Sequence, residues 1–432
     1  MSNPLSTATA GAATDSRRGG AKEADMTTTP APGLDTRHAD IVRATLPLVE
    51  AHLDAITATF YRDLFDRHPQ LGRDLFNRGD QAQGTQPRAL AASIARFAAR
   101  LVDPAAPQPD SMLARIGHKH ASLGITAEQY DVVHEHLFAA IVAVLGAEVV
   151  TEPVAAAWDR VYWLMADALI ALENRLYAES GVEPGQVFRE ALVTAREDDP
   201  MGVAVFTVES TDPVRPFPGY APGQYISVGL PQADGARQLR QYSLLGVPGD
   251  GRLVFAVKRV DPAPGRPAGE VSTRLYDRIG LGDTLTVTLP FGDVTVDPGA
   301  TTPLVLISAG IGITPMIGIL EYLAAHAPGR RVHLDHTDRA PGTRPLGKRL
   351  SALAARLPAL GLRWRYRDHT DDLGRHTFDL DAAAFPGDAE FLLCGPTTFL
   401  HTVRGTLLEQ GVPSGRIRTE QFVPTDWRES TA

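Results

Sequence analysis

The chain has 432 residues, of which 44% are apolar and 22% charged, and its net charge is −9. This balance suits a soluble protein of several domains and excludes the basic footprint that nucleic acid or an anionic membrane surface requires. A single cysteine, Cys394, excludes an internal disulfide framework and cysteine-held zinc or iron–sulfur centres and fits a reducing cytoplasm, and the longest apolar runs are too short to span a bilayer.

Residues 1–36 are rich in Ala, Thr, Gly, Ser and Pro, and before Leu34 the only larger apolar side chains are Met1, Leu5 and Met26. Such a segment cannot bury enough surface to fold and has no apolar core for export. It reads as a disordered extension rather than a secretory signal, with Met26 an alternative start.

Residues 37–182 are helical in pattern. Val42, Ile56, Phe60 and Leu64 recur at helical spacing, as do Leu90, Ile94, Phe97 and Leu101. Trp158, Tyr162, Met165, Leu169, Leu172 and Leu176 form one stripe of alternating four- and three-residue steps. An all-α domain is expected. Within it, "IGHKHASLGITAEQY" raises a question about metal. Positions two apart on a helix point roughly 200° apart, so His118 and His120 cannot face one metal from one helix. His120 shares an apolar stripe with Leu113, Ile116 and Leu123; His118 lies among polar side chains. His120 is therefore either a hydrogen-bonded core residue or a ligand. Glu173 flanks the stripe between Leu169 and Leu176, where a carboxylate either reaches solvent or pairs with buried groups such as His120 and Tyr130.

Residues 183–297 change rhythm to short strand-like runs, "VAVFTV", "QYISVGL", "RLVFAVKRV" and "DTLTVTL", separated by turns such as "PGDGR". That spacing predicts an antiparallel barrel or sandwich. "LRQYSLLG" contains Arg240, Gln241, Tyr242 and Ser243, which is either an ordinary strand or a cofactor strand whose arginine clamps a pyrophosphate. "PGQYISV" with Tyr225 precedes it. "GEVSTRLY" with Val271 and Ser272 follows it, at a helix start whose free N–H groups suit a phosphate.

Residues 298–432 alternate strands with helices: "PLVLISAG", "RRVHLDH", "LRWRYRD", "AEFLLCG" and "RIRTEQFV" are the strands. The alternation predicts a parallel sheet of the nucleotide-binding type. "SAGIGITP" supplies Gly310, Ile311, Gly312, Ile313, Thr314 and Pro315 between a strand and a helix, and "LLCGP" supplies Cys394, Gly395 and Pro396. By itself a glycine turn is equally a plain strand-to-helix loop.

Over residues 38–432 these motifs, in this order, resemble the flavohaemoglobins. "RATLPLVEAH", "TFYRDLF", "HPQL", "LFN" and "KHASLGITAEQY" are similar to the family's globin half, and the later motifs to its ferredoxin-reductase-type module. The resemblance implies a globin, then an antiparallel β-barrel FAD domain, then an α/β parallel-sheet NAD(P)-binding domain. It implies His120 as proximal ligand to the iron of haem b, with Tyr130 and Glu173 hydrogen-bonded behind it. Tyr61, Gln86, Phe76 and Leu90 match the distal pocket, and Lys119 and Glu420 match residues that tune the redox centres. Tyr225, Arg240, Gln241, Tyr242, Ser243, Val271, Ser272, Gln421, Phe422, Val423 and Pro424 match the FAD side. The glycine turn and Cys394–Pro396 match the NADH or NADPH side, although Ile313 stands where the family has glutamine. Pro87, beside Gln86, is acceptable only in a helix's first turn, which places a helix start at the distal site with Thr85 as cap. The implied activity is nitric oxide dioxygenation of NO and O2 to nitrate in the cytoplasm, with no obligate protein partner, nucleic acid or membrane insertion. Reduction of peroxides or O2, and gas sensing by a globin coupled to a flavin reductase, are the alternatives.

Overall fold

The structure, a computed structural model, describes residues 33–77, 85–103, 105–106, 109–232, 234–263, 267–366 and 380–422. The expectation for residues 1–36 falls almost wholly outside them, as do Val423, Pro424 and the side chain of Gln86.

Helices come first: α1 (Thr36–Arg67), α2 (Pro69–Asp74), α3 (Thr85–Val102), α4 (Asp110–Ala121), α5 (Glu128–Leu145) and α6 (Glu152–Glu179). Asp35 caps α1, its carboxylate accepting from the His38 N–H at 2.9 Å. The periodic stripe of α1 is buried at Val42, Val49, Leu53, Ile56, Phe60 and Leu64, against Trp158, Val161, Met165 and Leu169 of α6. Each such side chain contributes on the order of 1.5–3 kcal/mol by leaving water. Helix α3 begins at Thr85 with Pro87 in its first turn, so the helix does start at the distal position, with Thr85 its first residue rather than its cap.

A closed six-stranded antiparallel barrel follows: β1 (Phe188–Asp199), β2 (Val203–Ser210), β3 (Tyr225–Pro231), β4 (Arg237–Leu245), β5 (Arg252–Lys258) and β6 (Thr284–Thr288), ordered β1-β2-β5-β4-β3-β6. Helix α7 (Glu270–Arg278) lies between β5 and β6. Strand β1, "FREALVTAREDD", has no expectation in the apolar runs, because charged residues dominate it, Leu192 is exposed and only Ala191 and Val193 are buried. It belongs because it closes the barrel, pairing with both β2 and β6.

The last region is a parallel sheet of β7 (Leu304–Ala309), β8 (Val332–Asp338), β9 (Leu360–Tyr366), β10 (Glu390–Cys394) and β11 (Ile417–Glu420), in the order β11-β10-β7-β8-β9. Helices α8 (Ile313–His326), α9 (Gly347–Ala354) and α10 (Thr397–Glu409) cover it.

The three regions share cores. Leu176 and Tyr177 of α6 are buried with barrel residues, and Val203, Val205, Leu245 and Ala256 of the barrel are buried with Met316 and Leu320 of α8. Gly318 lets α8 approach β4, since a Cβ there would collide with the Leu244 carbonyl oxygen. Among the described residues no helix is long and apolar enough to cross a membrane.

Candidate functional site

Helix α4 carries the central residue. Its two histidines diverge as the helical spacing dictates. His118 accepts from the Gly292 N–H at 3.0 Å, while His120 turns inward. His120 Nδ1 lies 2.9 Å from Glu173 Oε1 and 3.0 Å from the Tyr130 hydroxyl. Tyr130 donates to that same carboxylate oxygen at 2.6 Å. Glu173 is 2% exposed, and a carboxylate so buried requires donors. The imidazole supplies one by carrying its proton on Nδ1, which leaves the Nε2 lone pair for the cavity that His120 lines. Burial, reinforced by the Glu173 charge, pushes the Tyr130 phenol up, so it remains a donor.

That cavity measures about 510 Å³. On the globin side its walls are mostly apolar and include Phe60, Phe76, Leu90, Ile94, Val133 and Met165. Tyr61 lines the same space, its ring set among Phe60, Phe65 and Phe76 at centroid distances of 4.7, 5.5 and 5.7 Å. Burial raises the Tyr61 phenol and keeps it protonated. The chemistry of the donor set fits haem. One imidazole presents Nε2 to a mostly apolar slot, and among the described residues no three His, Cys, Asp or Glu side chains form a group that could hold a metal ion, so a metal here would bring its other donors with it.

The cavity does not end at the globin. It continues past Lys119 and Arg115 to Tyr225, Arg240, Gln241, Ser243, Glu420, Gln421 and Phe422. Tyr225 and Ser243 are cross-strand partners, and Phe422, a residue 47% exposed, lies at this wall. An uncovered aromatic face beside a strand with an arginine and a serine fits a stacked flavin and its phosphates. Tyr242 lies off this wall, half-buried with its ring 5.7 Å from Phe255. Val271 is buried among barrel residues, and Ser272 sits in the first turn of α7 beside Gly269.

The two motifs expected on the nicotinamide side meet. Gly310–Gly312 form a turn between β7 and α8, and a Cβ on Gly312 would stand 2.5 Å from the Cys394 carbonyl oxygen and 3.0 Å from the Gly395 N. Ile313, Thr314 and Pro315 open α8, and Pro396 caps α10. Strands β7 and β10 are neighbours at the point where the sheet order reverses, and both motifs lie at their C-terminal ends. That crevice is where open α/β sheets bind dinucleotides. Strand register then puts Ser308, Cys394 and Glu420 in one row, so this crevice borders the cavity wall of Tyr225, Ser243 and Phe422 through Glu420. Arg331 precedes β8 at the opposite end from the crevice, whereas Arg339 follows its C-terminal end.

At the junction Lys119 donates to Gln241 Oε1, and Arg115 donates to the Thr419 carbonyl with its Nε 3.9 Å from Asp293. Burial raises the Glu420 carboxyl to about 7, against the pull of Arg115 and Lys119 and with the help of Asp293. Sequence reasoning did not single out Arg115 or Asp293. The signal for Arg115 was available, because it lies four residues before Lys119 on one helix face.

Residues 58–169 match the globin family model. A flavohemoprotein of Bordetella parapertussis is 38% identical over 397 residues, covering 88% of this chain and 96% of that one. The chain belongs to the flavohemoprotein family. Another member, from Chromobacterium violaceum, is 36% identical over 402 residues, 90% of this chain and 98% of that protein. The crystal structure of a Malassezia yamatoensis flavohemoglobin with bound FAD and heme superposes with a TM-score of 0.80 at 35% identity, covering 90% of this chain and 100% of that one. This flavohemoprotein is thus a globin fused to an FAD- and NAD-binding reductase module, an oxidoreductase architecture.

Proposed function

We propose that this flavohemoprotein is an NAD(P)H-dependent nitric oxide dioxygenase of the cytoplasm, holding haem b at His120 and FAD against Tyr225, the Arg240–Ser243 strand and Phe422. The observation that carries the reading is the single cavity lined by His120 and Tyr61 at one end and by Tyr225, Ser243 and Phe422 at the other. Two redox groups in one cavity need no partner protein to exchange electrons. When bound, FAD divides the electron pair of a hydride into single electrons, and haem iron takes O2 in its ferrous state.

The protein's own residues do the rest. Glu173 fixes the tautomer of His120 and, by accepting from Nδ1–H, makes Nε2 a stronger donor to iron. Tyr61, held protonated by burial, offers a hydrogen bond to negative charge developing on a substrate oxygen in a largely apolar pocket. The Gly310–Gly312 turn and Cys394–Pro396 seat the dinucleotide beside the flavin wall. Combining NO with O2 to give nitrate takes one electron, so each nicotinamide serves a pair of nitric oxide molecules.

The test is anaerobic addition of NADH or NADPH to the purified holoprotein, followed by O2 and nitric oxide. Reduction of the haem Soret spectrum and nitrate formed at twice the nicotinamide consumed are expected. A haem that NAD(P)H does not reduce, or nitric oxide consumption no faster than that of an alkyl hydroperoxide in kcat/KM, overturns the assignment.

A further inference from the structure

Four polar groups join the ligand helix to the flavin strand in a closed ring. Lys119 Nζ donates to Gln241 Oε1, and Gln241 Nε2 donates to Ser227 Oγ at 2.8 Å. Ser227 Oγ donates to Ser122 Oγ at 3.3 Å, the longest link, and Ser122 Oγ donates to the Lys119 carbonyl at 2.7 Å. Ser122 and Ser227 are both 0% exposed, one directly after α4 and the other in β3, and Ser122 also reaches the Tyr225 phenol. Neither serine lines the cavity; Lys119, Gln241 and Tyr225 do.

The direction of the ring follows from one group that cannot reverse. A backbone carbonyl only accepts, so Ser122 must spend its proton on Lys119 O. Ser122 then accepts from Ser227, and Ser227, its own proton committed, accepts from an amide NH2. The Gln241 amide is thereby set with its nitrogen toward Ser227 and its oxygen toward the Lys119 ammonium. Without the serines the amide could turn over and present NH2 to an ammonium, which repels it.

We propose that Ser122 and Ser227 are positioning residues for electron transfer: they orient the Gln241 amide and so hold the Lys119 ammonium, one residue from the iron ligand, where the two cofactors meet. This rests on the haem-and-flavin reading above. In the step concerned, one electron leaves the reduced flavin and the ferric haem takes it, with the nicotinamide as the source. The ring fixes both the separation of α4 from β4 and a positive charge that favours the reduced haem. Chains of buried hydrogen bonds polarise one another, so loss of either hydroxyl disturbs the whole ring.

The holoprotein variants Ser122→Ala and Ser227→Ala test this by anaerobic stopped-flow with NADH. Flavin reduction should keep its rate. Haem reduction should slow by roughly tenfold or more, the scale on which misplacement of an active-site group by up to about 1 Å is felt, and the haem midpoint potential should fall. The cofactor-free full chain gives an independent readout, because thermal midpoints of the two single variants and the double variant should be non-additive if the hydroxyls are coupled. Unchanged haem reduction and potential in both variants, or strictly additive midpoints, overturn the ring alone. A parent protein that takes up neither haem nor FAD overturns the reading beneath it as well.

Discussion

Glu173→Gln isolates the charge behind His120, the proposed iron ligand, while leaving side-chain size almost unchanged. In the parent, one carboxylate oxygen accepts from Nδ1–H of His120 at 2.9 Å and from the Tyr130 hydroxyl at 2.6 Å. A hydrogen bond to a charged group contributes about 1.5–3 kcal/mol, a neutral one about 0.5–1.5. The carboxylate can only accept, so it holds the imidazole proton on Nδ1 and keeps Nε2 free. A glutamine amide can also donate, and an NH2 turned toward Nδ1 would favour the other tautomer, with Nε2–H pointing into the cavity. Losing that bias of about 2 kcal/mol corresponds to roughly 30-fold in haem affinity, inside the 10- to 100-fold range seen when the partner of a ligating histidine is removed. The assay is haem transfer to an excess of a scavenging globin, followed at the Soret band, with resonance Raman of the iron–histidine stretch on the ferrous form. The variant should lose haem about 30-fold faster and show a lower-frequency stretch. Haem loss at the parental rate with an unmoved stretch would refute the idea that the carboxylate sets the ligand's tautomer and strength.

Tyr61→Phe removes the phenolic donor from the apolar pocket and should speed O2 dissociation by about tenfold or more, since one such hydrogen bond is worth on the order of 1–3 kcal/mol; an unchanged off-rate in stopped-flow would remove Tyr61 from substrate stabilisation. Glu420 is raised from 4.5 to about 7 by burial. The folded chain therefore binds its proton more tightly than the unfolded one, and stability should fall as pH rises between those two values. Glu420→Gln should flatten that slope in thermal melts, and identical slopes would show that the group is not buried in this way. Gly318→Ala puts a methyl against the Leu244 carbonyl and should destabilise by about 1–3 kcal/mol, only partly offset by alanine's better helix propensity. Slower flavin reduction by NADH should accompany it as α8 is pushed from β4, and an unaltered melting temperature would mean that the two elements are not in close contact.

The haem-side constellation was legible because its logic is local. Helical periodicity alone separated His118 from His120, and an acid at position 173 beside an apolar stripe left two outcomes, solvent or a buried partner, between which the fold chose. The glycine turn and "LLCGP" were legible as motifs, but not as neighbours: their meeting at β7 and β10 follows from strand order, which no stretch of the chain encodes by itself. Strand β1 was illegible because a barrel strand with one solvated face and only an alanine and a valine buried lacks an apolar signature. Arg115, Asp293, Ser122 and Ser227 are ordinary polar residues until folding places α4 against the barrel and β11.

Composition, periodicity and motif spacing determined three regions of distinct architecture and which of the two histidines shares the apolar stripe of its helix, because those properties depend on residues within a few turns or strands of one another. Only the tertiary structure decided that the globin wall and the Tyr225–Phe422 wall belong to one cavity, that Glu420 borders both that wall and the crevice between β7 and β10, and that Lys119 points at Gln241. Those facts depend on segments distant in the chain coming together, as Lys119 and Gln241 do across 122 residues, and packing between cores brings them there.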